Sequence, residues 1–394
     1  MQKNNSLKIL MYISVLTMII GNVLNYINVL NRDTSTAITY FFLFVPIIIS
    51  VLPILNSIIN NEKFKYVHEL RTGLFVVFSF FIISLYKSYS TGSFIIGTIG
   101  ELIRLIVPFM YTFILINFFS KQEILILMKV TLLLAWLSFF LSQDLSQISF
   151  SNIMAISFTN SYSPFENSGI SMLSYALATY FIYNRRLAKV SCFFSIVLVF
   201  LTFKRVYLLA TLVLLILSFT KKENITVKPI ILYLSSIFFI ILTKMYMFIL
   251  QPSNYNWDLE KLHFDVASFS LYRAYRVWYL IQNNFQSYGF GSTTNSLQLG
   301  WLRGATLELD LIKILMELGI IAIVVFVFSY YRLTRENIYA YLVMSFTFLQ
   351  LLMANGLTNY FEMSILLTTV ALTFYNTANT SDDKIIWPLF KFKR

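Results

Sequence analysis

The stretch LELDLIKILMELG, residues 307–319, places Glu308, Asp310, Lys313 and Glu317 at the head of an apolar run that continues as IIAIVVFVF. A carboxylate can take the proton of an attacking hydroxyl, and an ammonium group can hold phosphate oxygens. An ionisable group near the centre of a membrane helix costs roughly 2.5–3.5 kcal/mol on insertion scales, so each marks a candidate for function. On a helix, Asp310, Lys313 and Glu317 fall at i, i+3 and i+7 and share one face, which is expected to point into a wet cavity. Glu308 sits at the aqueous mouth, with Glu317 about 13 Å further along the axis. The structural alternative for Lys313 is an internal salt bridge with Glu317 or Asp310. A metal clamp between Glu308 and Asp310 is not expected, because helical neighbours two apart point about 200° away from each other.

Basic residues gather elsewhere. Lys204 and Arg205 in FLTFKRVYLL stand between two short apolar runs, at the tip of a hairpin where basic groups are disfavoured on the outer side of a membrane. Arg273 and Arg276 lie three residues apart in LYRAYRVW, and Arg303 follows in WLRGAT. Guanidinium forks suit phosphate and pyrophosphate oxygens, although any single arginine can instead snorkel or form a structural pair. Arg104 in GELIRLIVPF follows Glu101 by three residues, so the two either neutralise each other or meet a substrate. The GFG of 289–291 could form an anion-holding nest of backbone N–H groups. Tyr272, Tyr275, Trp278 and Tyr279 could stack on sugars or anchor at the membrane interface. His263 reads as a solvated loop residue.

These residues need elements to hold them, and composition says which. The 394 residues are 58% hydrophobic and only 12% charged, with a mean hydropathy of +0.71. That balance excludes a soluble domain. Apolar runs near the length that crosses about 30 Å of hydrocarbon recur along nearly the whole chain. Short alternating segments of the closed-barrel kind do not occur. The expected fold is all-α: a polytopic integral membrane helical bundle forming one transmembrane domain over 1–394. Roughly twelve spans are expected, at 9–30, 37–59, 72–86, 94–119, 124–142, 168–184, 188–203, 206–220, 229–250, 309–331, 338–354 and 362–378. The first run reads as a span, not a cleavable signal.

The formal net charge of +12 comes from scattered loop residues, so no nucleic-acid partner is expected. Lys63, Lys65, Arg71, Lys121, Arg185, Arg186, Lys221, Lys222, Arg332 and Arg335 fall in connections of one parity, while those of the other hold little beyond Arg32 and Lys87. Both termini are therefore expected inside. Cys192 is the one cysteine and His68 and His263 the two histidines, which argues against a disulfide framework, a metal site or haem. Two external segments are long: 143–167, rich in Ser and Asn, and 251–308, in which 268–285 is expected as one amphipathic helix along the membrane surface.

The basic hairpin tip TFKRV, the paired arginines of LYRAYRVW, the YGFGS turn and LELDLIKILMELGII together resemble the bacterial polysaccharide repeat-unit polymerases (Wzy-type) of O-antigen and capsule pathways. The recognisable residues cover about 200–325. The related O-antigen ligases carry a His-Asn pair ahead of the corresponding helix, which this sequence lacks. The resemblance implies a membrane C-type glycosyltransferase at the outer face of the bacterial inner membrane. Such an enzyme moves a growing glycan from undecaprenyl pyrophosphate to the terminal sugar of another lipid-linked repeat unit. No cofactor is implied, and a chain-length regulator and a flippase would be partners. Glu308 or Asp310 would be the base. Lys204, Arg205, Arg273, Arg276 and Arg303 would hold pyrophosphate, with Lys313, Glu317 and Arg104 behind them. A flippase or other transporter of lipid-linked oligosaccharide is the rival reading, expected to show repeated halves with charges near the midplane.

Overall fold

The computed structural model describes residues 5–26, 32–93, 97–142, 168–220, 225–263, 265–299, 306–335 and 337–375. Arg303, Lys221, Lys222 and the external segment 143–167 lie outside them. Among the described residues the chain is almost wholly helical, with a single isolated bridge between Thr226 and Asn337 in place of any strand.

The helices are α1 (Asn5–Tyr26), α2 (Arg32–Ile59), α3 (Val67–Thr91), α4 (Gly97–Phe118), α5 (Lys121–Ser142), α6 (Ser168–Tyr183), α7 (Lys189–Thr202), α8 (Arg205–Phe219) and α9 (Pro229–Ile249). Four short ones follow, α10 (Tyr255–Leu262), α11 (Val266–Phe269), α12 (Ala274–Gln282) and α13 (Ser292–Leu299). The chain then returns through α14 (Asp310–Leu318), α15 (Ile320–Arg332), α16 (Ile338–Met353) and α17 (Tyr360–Tyr375). Four helices, α3, α4, α5 and α9, are long and apolar enough to cross a membrane, and eight shorter apolar helices stand with them.

Which faces are buried follows from side-chain chemistry. Helix α17 is buried all round from Tyr360 to Thr373 and packs on α4 and α6. Its threonines do not tax that burial, because each hydroxyl finds a carbonyl: Thr368 donates to Ser364 O at 2.7 Å and Thr369 to Ile365 O at 2.9 Å. At the rim, α9 exposes Ile230, Leu234, Phe238, Ile241, Met245 and Phe248 as a continuous helical stripe. Such a stripe is costly in water and at home in hydrocarbon, which makes this a helical membrane protein.

Two expected elements differ. The run 309–331 is not one helix: Gly319, at φ 83° and ψ −175°, separates α14 from α15. A glycine tolerates this backbone, and its N–H still donates to Leu315 O at 3.0 Å. The single amphipathic helix expected over 268–285 is likewise two helices. Leu271 and Tyr272 turn left-handed between them, and the Ala274 N–H opens α12 by donating to Ser270 Oγ at 3.0 Å. Helical periodicity in the sequence does not register such a break, since apolar spacing continues across it.

Candidate functional site

The turn between α11 and α12 aims two guanidinium groups at one carboxylate. Arg273 caps α12 and its Nε donates to Glu308 Oε2 at 3.0 Å; Arg276, one turn on, places Nη1 3.0 Å from Glu308 Oε1. Further donations from Arg273 Nη1 to Ser270 O and from Arg276 Nη1 to Thr306 O fix both forks. Glu308 reaches them from a left-handed residue, φ 51°, just ahead of α14. Its side chain keeps 29% exposure, so this end of the network is open. Burial pushes the Glu308 carboxyl upward, but Arg276 and then Arg273 outweigh it and hold the group below the usual glutamate range. It is therefore ionised at neutral pH.

Asp310, two residues on, belongs to a different set of contacts. It is buried, and its Oδ2 accepts the N–H groups of Gly356 and Leu357, each at 2.6 Å, tying the head of α14 to the connection between α16 and α17. Oδ1 accepts no hydrogen bond from the described residues. The tie from Glu308 to the arginines and that from Asp310 to the backbone thus divide the acidic pair by environment.

The charged face of α14 is taken up by the protein itself. Lys313 is buried and pairs with Glu101 of α4 at 3.1 Å, not with Glu317 or Asp310, and lies 5.0 Å from the Phe290 ring centroid. Glu101 also faces Arg104 at 3.8 Å. Glu317 is fully buried and accepts the N–H of Gly291 at 2.7 Å, the N–H of Thr293 at 2.8 Å and the Thr293 hydroxyl at 2.5 Å. Of the GFG segment, only the Gly291 N–H reaches Glu317; those of Gly289 and Phe290 donate to Ser287 Oγ and Ser84 Oγ, so the expected three-residue nest does not form. For Glu317 and Lys313, the wet-cavity expectation gives way to internal pairing, because burial of either charge needs a partner and the fold supplies one.

The YGFGS turn seats between helices for a steric reason. Gly289 and Gly291 have φ of 130° and 95°, and a Cβ on Gly289 would stand 2.9 Å from Ser84 Cβ. Ser84 and Ser88 of α3 close the seat, Ser84 Oγ accepting the Phe290 N–H at 3.0 Å and Ser88 Oγ donating to Tyr288 O at 2.6 Å.

The expected residues therefore meet at one end of the bundle in part. Lys204 caps α8 and Arg205 begins it; Tyr207, one turn below, is within electrostatic reach of both Asp310 and Glu362. Tyr360 is similarly within reach of Glu362 and Arg104. Arg104, Glu101 and Lys313 are linked by ion pairs between α4 and α14, while Tyr207 of α8 and Tyr360 and Glu362 of α17 are further buried polar residues of the bundle. Tyr207 and Tyr360 carried no signal in the sequence, since each is an ordinary member of an apolar helix. Glu362, as a lone acid near the head of a span, was the one that intramembrane cost could have flagged. Of the aromatics in 272–279, Tyr272 and Tyr275 stack at 5.8 Å and stay exposed, whereas Trp278 is drawn inward, donating Nε1–H to Leu250 O at 3.0 Å. No group of three or more His, Cys, Asp or Glu among the described residues could hold a metal ion.

Fold and site together define a helical membrane protein with a buried ion-pair chain between α4 and α14 and a partly open arginine–glutamate cluster ahead of α14. No family model, curated protein or solved structure matches the chain.

Proposed function

We propose that the chain is an oligosaccharide repeat-unit polymerase, a glycosyltransferase whose donor is a glycan on a lipid diphosphate and whose acceptor is the terminal sugar of a second lipid-linked unit. The observation that carries this reading is the Arg273–Glu308–Arg276 cluster at 3.0 Å on both sides, outside the apolar helices and partly open to solvent. One carboxylate between two guanidinium groups leaves a net positive charge and spare N–H donors. That is the complement of a diphosphate gaining charge as it leaves.

In the proposed step the acceptor hydroxyl oxygen bonds to the anomeric carbon of the donor while the bond from that carbon to the diphosphate oxygen breaks. The electron pair leaves with the lipid diphosphate, and the hydroxyl proton passes to a carboxylate. Asp310 suits that role: its Oδ2 is held by two N–H groups, which orients the free Oδ1. Glu308 then positions the arginines. Lys204, Arg205 and Arg303 are further candidates for the diphosphate, and Arg104 for the wall of the same site. The enzyme would work at the outer face of the bacterial inner membrane, with twelve spans and both termini inside, beside a flippase and a chain-length regulator. No cofactor is needed, since the donor brings its own leaving group.

The interruption at Gly319 favours a second reading, transport of the lipid-linked oligosaccharide, because broken helices often line substrate paths in transporters. Deleting the gene and running the surface glycan on a gel separates the two. Collapse of the ladder to one rung supports the polymerase; loss of every surface rung with lipid-linked material retained inside supports transport and overturns the proposal.

A further inference from the structure

At the opposite end of the bundle, the non-helical stretch 62–66 and the turn joining α4 to α5 enclose a cavity of about 440 Å³. Helix α3 sets the separation: it begins beside this cavity at Val67 and reaches Ser88, under Tyr288, some 31 Å later at 1.5 Å per residue. We propose that the cavity binds the headgroup of an amine-bearing glycerophospholipid, its phosphate on Lys63 and Lys65 and its ammonium on Glu62. The inference is independent of the reaction assigned to the other end.

The wall is built and its charges are uncommitted. Phe64 turns inward against Phe113 and Phe118, at ring separations of 5.2 and 6.3 Å, while its neighbours Lys63 and Lys65 stay exposed. Asn117 pins the stretch with both ends of its amide, accepting the Lys65 N–H at 2.7 Å and donating to Lys65 O at 3.0 Å. The side chains of Glu62, Lys63 and Lys65 make no hydrogen bond or ion pair with the described residues. The backbone N–H groups of Lys63 and Phe64 likewise have no acceptor among them. Glu123, the second acid of the lining, is already engaged by the Ser120 N–H at 2.7 Å.

Location fixes a lipid as the source of the headgroup. The cavity opens where the apolar helices α2 and α4 end, at Ile59 and Phe118. The α2 side chains leading to it, Leu52, Leu55, Ile58 and Ile59, are exposed, giving acyl chains a continuous apolar strip. Lysines at this level attract phosphate, and an unpaired carboxylate beside them favours a primary ammonium, which brings charge and N–H donors, over choline's quaternary ammonium, which has no N–H, and over uncharged glycerol.

The test is native mass spectrometry of the full-length, delipidated protein with added phosphatidylethanolamine, phosphatidylcholine or phosphatidylglycerol. Wild type should retain phosphatidylethanolamine about tenfold over the other two, and Lys63→Gln/Lys65→Gln should lose about tenfold of that retention. Glu62→Gln should bring phosphatidylethanolamine down to the phosphatidylcholine level, and it carries the test alone if the double variant does not fold. The proposal is overturned by unchanged retention in either variant or by equal binding of the three lipids. Displacement by soluble phosphoethanolamine at the lipid's own concentration would also overturn it, since the ligand would then be a free phosphate ester.

Discussion

Lys313 Nζ of α14 lies 3.1 Å from Glu101 Oε2 of α4, joining two helices that the sequence separates by 212 positions. The pair sits where α4, α14 and the GFG turn meet, because the same Glu101 faces Arg104 and its Cγ would be 3.2 Å from any Cβ placed on Gly291. Taking away Glu101 strands the buried Lys313 charge, at a cost of about 3–5 kcal/mol, and taking away Lys313 leaves Glu101 only its longer 3.8 Å contact with Arg104, whereas taking away both removes two desolvation penalties. Lys313→Met and Glu101→Leu should each lower the unfolding midpoint in detergent sharply. The double variant should recover most of the loss, and simple additivity of the two would show that the pair is not coupled.

Glu317 fastens the YGFGS turn through three donors. An intramolecular hydrogen bond contributes about 0.5–1.5 kcal/mol net, and more when losing it leaves a buried donor unsatisfied. Glu317→Ala should therefore raise amide hydrogen exchange at Gly291 and Thr293 by at least about a hundredfold while α16 and α17 keep their protection. Glu317→Gln, which keeps one acceptor oxygen, should fall between. Exchange at Gly291 unchanged in the alanine variant would mean that Ser84 and Ser88 alone hold the turn.

The Glu308 cluster has a defined acid limit. Its carboxyl is held below the ordinary value of 4.5, so its contribution is complete above that value and is lost as pH falls through the lower folded value. Hydrogen-exchange protection of residues 270–276 should accordingly stay level from pH 7 to about 5 and drop only in stronger acid. Glu308→Gln should show low protection throughout and no acid transition. A drop in the wild type between pH 7 and 5 would contradict the assigned charge state.

The apolar helices were legible because membrane burial rewards long apolar runs: the ends read from 188–203 and 338–354 lie within a residue of those in the structure, whereas α3, Val67–Thr91, runs five residues past each end of the 72–86 span. Breaks were less visible. Gly319 interrupts a pattern of apolar spacing that does not itself change, and the left-handed turn at Leu271 and Tyr272 uses residues that favour no turn. The site was legible as an inventory: Arg273, Arg276 and Glu308 do meet. Who partners whom was not. Glu101 had a convenient neighbour in Arg104, and only packing of α14 on α3, which itself packs on α4, brings Lys313 to it. The GFG turn read as a cradle for an anion, but two of its three N–H groups go to serine hydroxyls, and the carboxyl that meets the third comes from 26 positions away, of which local sequence carries no trace.

Glycosidic bond formation by the purified chain in proteoliposomes, supplied only with a lipid-diphosphate-linked repeat unit, measures the proposed chemistry most directly. Wild type should yield a ladder of glycans on lipid. Asp310→Asn should leave single units with donor binding intact, and Arg273→Ala/Arg276→Ala should leave single units with donor binding weakened by about a hundredfold or more. A wild-type preparation that moves the lipid-linked unit between leaflets yet forms no glycosidic bond would contradict the polymerase reading, as would full-length ladders from the arginine double variant.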